Sequence, residues 1–204
     1  MHLPRTIIIH GKGVNRIQLT KRSNRIAVFC HCMLNVHSLE ANLAEYPGLE
    51  EDIVKISLDQ GLGFVQLRCP ETRLHGIERL PMPKDSYDKP KIRENYRKQA
   101  KGEVAQLKEF IRNGAEIVAI IGAEASPSCG IHYVAKWKSD TDKKDRKWPD
   151  TVDFVEGRGV YMEELEKQMT EAEIKPKWIG VPGVSMKKAF PDMFKETLEQ
   201  LRGL

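Results

Sequence analysis

The chain has 204 residues, a formal net charge of +4 and 30% charged residues, a size that suits one domain burying roughly 70% of the surface its unfolded form exposes. Four cysteines, Cys30, Cys32, Cys69 and Cys129, are too few for a disulfide scaffold. No stretch has the pattern of a secretory leader and the apolar runs are strand-sized, so the expectation is a cytoplasmic protein in a reducing compartment with no membrane partner.

Residues 1–22 carry Arg5, Lys12, Arg16, Lys21 and Arg22 with no acid, and they read as a basic N-terminal extension that is partly strand over Ile7 to Ile9. Residues 23–204 form the domain proper. "RIAVFCHC" predicts the first strand, and "GLEEDIVKISLDQG" a helix stopping at Gly61. "FVQLRC" reads as the second strand, followed by a polar, proline-bearing loop from Pro70 to Lys91. A charged helix is expected from about Ile92 to Asn113, closed by Gly114. "EIVAIIGA" is the third strand. Residues 134–157 hold six Lys or Arg with Trp137 and Trp148 and no clear period, so they read as a charged insertion. "VYMEELEKQMTEAEI" is helical, "KWIGVP" a fourth strand, and "FPDMFKETLEQL" a closing helix with Pro191 in its first turn. Basic clusters that would suit a phosphate-bearing partner are residues 1–22 and residues 89–113, which have eight Lys or Arg against three Glu, and for RNA the stretch 136–147 would join the second of these; the ordinary reading of any one cluster is a solvated face.

Strands alternating with helices imply an α/β domain: a three-layer, Rossmann-like arrangement with a mostly parallel sheet, because parallel neighbours need a helical crossover. The C-terminal strand ends then share one edge, where such sheets bind ligands. Cys32 follows the first strand, Cys69 the second, and Cys129 lies a short turn beyond the third. Three cysteines distant in sequence should therefore gather.

A disulfide would use two of them, and structural zinc prefers close Cys pairs with two to four residues between partners. The single close pair here, Cys30 and Cys32, has one intervening residue. An iron-sulfur cluster accepts one thiolate from each of several loops, so three thiolates would hold a [4Fe-4S] cluster with one open iron, a Lewis acid suited to catalysis. Cys30 reads as a packing residue and a reserve ligand, and the ordinary alternative for each cysteine is a small buried hydrophobe. Neighbouring residues extend the pattern. Glu71, two residues past Cys69 and behind Pro70, could act as a general acid or base; Ser126 and Ser128 flank Cys129 as hydrogen-bonding catalytic groups; Asn35, His37 and Ser38 could bind a polar heterocycle. Asn35 and Glu71 could equally be helix caps, and His37 a solvated loop residue.

"HCMLN" at 31–35, "CPET" through "GIERLPMPK" at 69–84 and "SPSCG" at 126–130 together resemble the thiouracil desulfidase (TudS-like) family, in order and approximate spacing, over roughly residues 24–135. The resemblance implies a [4Fe-4S] cluster on Cys32, Cys69 and Cys129 and non-redox removal of sulfur from a thiolated nucleobase or nucleoside, giving the carbonyl compound and sulfide. Departures point to a divergent subgroup: Asn35 stands where the family commonly has glycine, His75 precedes Gly76 where a Gly-Gly pair is usual, and Pro83 and Lys84 replace a Pro-Arg. Two other expectations stand beside this one, a desulfidase acting on thiolated tRNA and a non-catalytic iron-sulfur or zinc-binding protein.

Overall fold

A computed structural model of the chain describes residues 22–40, 43–44, 46–183, 186–187 and 190–204. The expected strand at Ile7 to Ile9 lies outside the described residues. Four parallel strands form the central sheet: β1 (Arg25–Phe29), β2 (Gly63–Gln66), β3 (Glu116–Ala123) and β6 (Lys177–Val181), in the order β2-β1-β3-β6. Between β1 and β2 the chain forms α1 (His31–Leu34), a 3-10 turn (Val36–Ser38) and α2 (Glu51–Asp59). After β2 come α3 (Pro70–His75), α4 (Lys84–Tyr87) and the long α5 (Pro90–Arg112). A two-stranded antiparallel hairpin follows β3, made of β4 (Tyr133–Trp137) and β5 (Val152–Glu156). The helices α6 (Val160–Glu171) and α7 (Pro191–Arg202) flank β6 in sequence.

The chain steps from β1 outward to β2 and then back across to β3. Right-handed crossovers then put α2 on one face of the sheet and α5 and α6 on the other. The packing agrees, with α5 against α6 and α2 against α7. Between the layers lies a continuous core in which Phe29, Ile53, Leu107, Ile120, Ile121, Leu165 and Ile179 are almost wholly buried. On the α5–α6 side Glu164, fully buried, is met by Arg93 at 3.0 Å and Arg97 at 3.0 Å, so its charge is paired within the helix interface. The α/β class with a parallel sheet is thus as the sequence implies. No helix among the described residues is long and apolar enough to cross a membrane.

Two local readings are corrected. The segment from Pro70 to Lys91 contains two short helices rather than only loop, each opened by a proline at its cap or first turn. β1 ends at Phe29, so Cys30 is the N-cap residue of α1 and Cys32 sits within that helix, not on the strand. The charged insertion at 134–157 is ordered as most of the β4–β5 hairpin and its connection, with half-exposed strands that leave no apolar alternation to read.

The loop carrying Cys129 is seated by close backbone approach. A Cβ on Gly122 would lie 2.4 Å from the Cys129 carbonyl oxygen, and one on Gly159 would lie 2.3 Å from the Ser128 carbonyl carbon. The first amides of α6 have no partner within their own helix, and they donate to this loop: Val160 N to Pro127 O at 2.9 Å, and Tyr161 N and Met162 N to Ser128 O at 3.1 Å each. Gly122→Ala is therefore expected to destabilise the fold by about 1–3 kcal/mol through overpacking. Urea denaturation measures this, and an unchanged midpoint would contradict so tight a seat.

Candidate active site

The C-terminal ends of β1, β2 and β3 open into one cavity of about 1200 Å³, and Cys32, Cys69 and Cys129 all line it. β1 and β3 are adjacent in the sheet while the chain leaves them in opposite directions, so the cavity lies at the switch point of the topology. Each thiol is delivered by a different device. Cys32 is held in α1, where Met33 N reaches back to Cys30 O at 3.2 Å. Cys69 is the N-cap of α3, and its sulfur accepts the Thr72 backbone N–H at 3.4 Å. Cys129 follows Ser126, whose Oγ accepts the Cys129 N–H at 3.0 Å.

The three thiols are near enough for the charge of one to bear on another. The Cys129 thiol is pushed well up, first by burial and then by the negative charge that Cys32 and Cys69 would carry. Cys32 is pushed well up by its hydrogen bond with Cys30 and by burial, and Cys69 is raised by burial, against the Thr72 contacts that lower it. The Cys30 and Cys32 sulfurs stand 3.6 Å apart. At neutral pH the bare site therefore holds protonated thiols, and a cation that took them as thiolates would release protons. Among the described residues no three His, Cys, Asp or Glu side chains converge on a point from which they could hold a single metal ion. Zinc draws its ligands around one centre, whereas a cubane takes its thiolates on different irons. The donor set, three soft sulfurs from three loops around one cavity, fits such a cluster.

Glu71, in the first turn of α3, is buried and lines the same cavity. It is not free. Its Oε2 accepts from Arg79 Nε at 3.0 Å and from Tyr87 Oη at 3.2 Å, while its Oε1 takes no hydrogen bond among the described residues. Arg79, with its side chain only 5% exposed, also reaches Glu40 Oε2 at 3.3 Å. Its remaining N–H groups go to Thr72 Oγ1 at 3.2 Å, Gly76 O at 2.9 Å and Ser38 O at 2.9 Å. All five guanidinium donors are thus used, which is how a buried arginine is accommodated. Neither Arg79 nor Glu40 was singled out from the sequence. They are 39 residues apart and meet only through the tertiary fold, although Arg79 lies within the "GIERLPMPK" stretch.

The other expected site residues divide. Ser126 and Ser38 line the cavity. Ser128 does not: it is fully buried, and its Oγ pairs with Tyr96 Oη on α5 at 3.0 Å, so it braces the loop from behind. Asn35 and His37 are exposed and absent from the cavity wall; Asn35 Oδ1 accepts the His37 N–H at 3.1 Å, the capping role that was its ordinary alternative. The hairpin supplies a roof that sequence reading left open. Trp137 and Trp148 both line the cavity, with Phe154, Lys143 and Arg146, and the Arg146 guanidinium lies 5.5 Å from the Trp137 ring centre.

Comparison with known proteins adds little to this picture. No family model matches the chain and no solved structure matches it. Uncharacterized protein MJ0003 of Methanocaldococcus jannaschii is 28% identical over 180 residues, a span covering 88% of this chain and 98% of that protein.

Proposed function

We propose that the protein is a [4Fe-4S]-dependent, non-redox desulfidase that removes sulfur from a thiolated nucleobase or nucleoside of the thiouracil type. The observation that carries this reading is the convergence of Cys32, Cys69 and Cys129 on one cavity beside a carboxylate, Glu71, fixed by Arg79. The resemblance of the three motifs to thiouracil desulfidases supports it. A cluster held by three cysteines would supply an iron with an open position, a Lewis acid with affinity for the soft sulfur of a thiocarbonyl.

The chain's own residues then have definite tasks. Glu71 keeps Oε2 on Arg79 and Tyr87, which leaves Oε1 to accept a proton from a water molecule approaching the ring carbon. Because the guanidinium holds the carboxylate in one orientation, the base needs little reorganisation as the proton moves. Ser126 gives the Cys129 backbone a fixed acceptor and adds a hydroxyl at the cavity wall. The roof tryptophans offer flat apolar faces against which a heterocycle can lie.

The cavity is larger than a free base needs, since pockets for drug-sized ligands run to roughly 300–1000 Å³. Together with Lys143 and Arg146 on the roof, this favours a second reading in which the thiolated base is carried on RNA. Anaerobic reconstitution with iron and sulfide, followed by sulfide-release assays on thiouracil, thiouridine and thiolated tRNA, tests both. Release from the small compounds is expected; release from tRNA alone, with steeply salt-dependent binding, selects the second reading. A loaded cluster with no release from any of them rejects the activity. Glu71→Gln is expected to retain the cluster absorption and lose about 10²- to 10⁴-fold in turnover. Full activity in that variant would remove Glu71 from the chemistry.

A further inference from the structure

Two buried carboxylates share one buried guanidinium in this cavity. Arg79 touches Glu71 at 3.0 Å and Glu40 at 3.3 Å, and both acids are more than nine-tenths buried as side chains and line the cavity wall. One positive charge cannot balance two negative ones away from water, and three thiolates on a cluster would add to the imbalance. The two carboxyls are held differently. Glu71 has two direct donors on Oε2, Arg79 and Tyr87, whereas Glu40 has Arg79 at the longer distance.

We propose that Glu40 is the proton donor to the departing sulfur, working opposite Glu71 across Arg79. The inference rests on the desulfidase reading above and names a second catalytic residue for it. The overall change is thiocarbonyl plus water giving carbonyl plus hydrogen sulfide. A C–O bond forms and a C–S bond breaks, and no electrons are gained or lost by either partner. Glu71 takes the first proton as water adds to the ring carbon. Glu40 gives its proton to sulfur as the C–S pair of electrons leaves with that atom. The second proton of the water is released as the carbonyl forms, and the two protons handed over restore Glu40 and complete the hydrogen sulfide. A pair of carboxyls with divergent environments is the usual physical basis for such a division of labour.

Burial first, then the charge of Glu71, hold the Glu40 carboxyl above its ordinary range, against the lowering pull of Arg79 and of its own backbone amide. The titratable groups nearest to it are Glu71, Arg79 and Tyr87. Besides the three thiols, His31, Tyr46, Glu50, Glu124, Lys143 and Arg146 complete the titratable lining of the cavity.

Glu40→Gln tests the assignment, because the amide keeps the shape and an acceptor for Arg79 but carries no acidic proton. The loaded variant is expected to match the wild type in iron and sulfide content, to turn over about 100-fold or more slowly, and to lose the fall in rate that the wild type shows as pH rises through the Glu40 value. Glu40→Asp should recover part of the rate together with that limb. A second readout needs no cluster. A carboxyl raised in the folded state contributes stability below its unfolded value of about 4.3 and loses it as pH rises through the folded value. Metal-free wild type should therefore lose stability relative to metal-free Glu40→Gln from about pH 4.5 upward until Glu40 is fully ionised. Parallel stability curves, or a variant turning over at the wild-type rate, overturn the proposal. If the loaded wild type releases no sulfide from any thiolated base, the desulfidase reading fails and this role falls with it. A wild type that works beside an equally active variant removes Glu40 alone.

Discussion

Parallel pairing of β1 with both β2 and β3 is the constraint from which the rest of the molecule follows. Because the three strands run the same way, their C-terminal ends share an edge, and whatever the chain places just beyond each end is delivered to one region. Cys32 arrives on a helical turn, Cys69 as a helix cap and Cys129 on a loop bonded to the start of α6. Had any one crossover been replaced by a hairpin, the corresponding cysteine would sit at the opposite edge of the sheet. Phe29, Ile120, Ile121 and Ile179 lie on neighbouring strands and are almost wholly buried, Ile120 and Ile121 toward opposite faces, so both sides of the sheet are packed.

Around the thiols the protein assembles charge in a way that is costly unless every partner is present. Arg79 spends all five donors on Glu71, Glu40, Thr72, Gly76 and Ser38, tying together α3, the loop after it and the 3-10 turn after α1. Removing Arg79 or Glu71 would leave its partner's charge uncompensated in a poorly solvated place, typically a loss of about 3–5 kcal/mol. The network therefore couples the shape of the cavity wall to its electrostatics: the residues that fix where the wall stands are also those that set how readily it exchanges protons. Behind the loop the Tyr96–Ser128 hydrogen bond, with Tyr96 packed edge-on to Tyr161 at 5.7 Å, gives Cys129 a rigid backing that carries no charge of its own.

What could be read from the sequence, and what could not, follows from which forces leave a local signature. Fully buried parallel strands such as "EIVAIIGA" stand out as apolar runs, and α5 announces itself by its length and by Gly114 beyond its end, so the α/β architecture was legible, and with it the common edge for three cysteines. α3 and α4 were missed because helices of six and four residues are too short to show a period. The hairpin was missed because β5 has no buried residue, leaving its sequence no reason to alternate. Ser128 was read as a catalytic group because one-dimensional adjacency to Cys129 says nothing about which side of a turn a side chain takes, and the buried hydroxyl of Tyr96 decides that. Glu40 had no local signal and Arg79 only its place in the "GIERLPMPK" stretch, since their pairing exists only once the loops are folded over the sheet edge.

The aromatic roof is joined to the thiol floor by the backbone just before Cys129. Ala125, held at a positive φ of 64°, accepts the Ala135 N–H at 3.1 Å and donates its own to Tyr133 O at 3.0 Å, while the Trp137 amide is tethered to Asp85 at 3.2 Å. The hairpin is consequently anchored both at its root, beside Cys129, and at the far end of β4, where Asp85 of α4 holds Trp137. The aromatic ceiling and the sulfur-bearing loop are thereby positioned by one and the same piece of main chain, so a change that shifted Ala125 would move both walls of the cavity together.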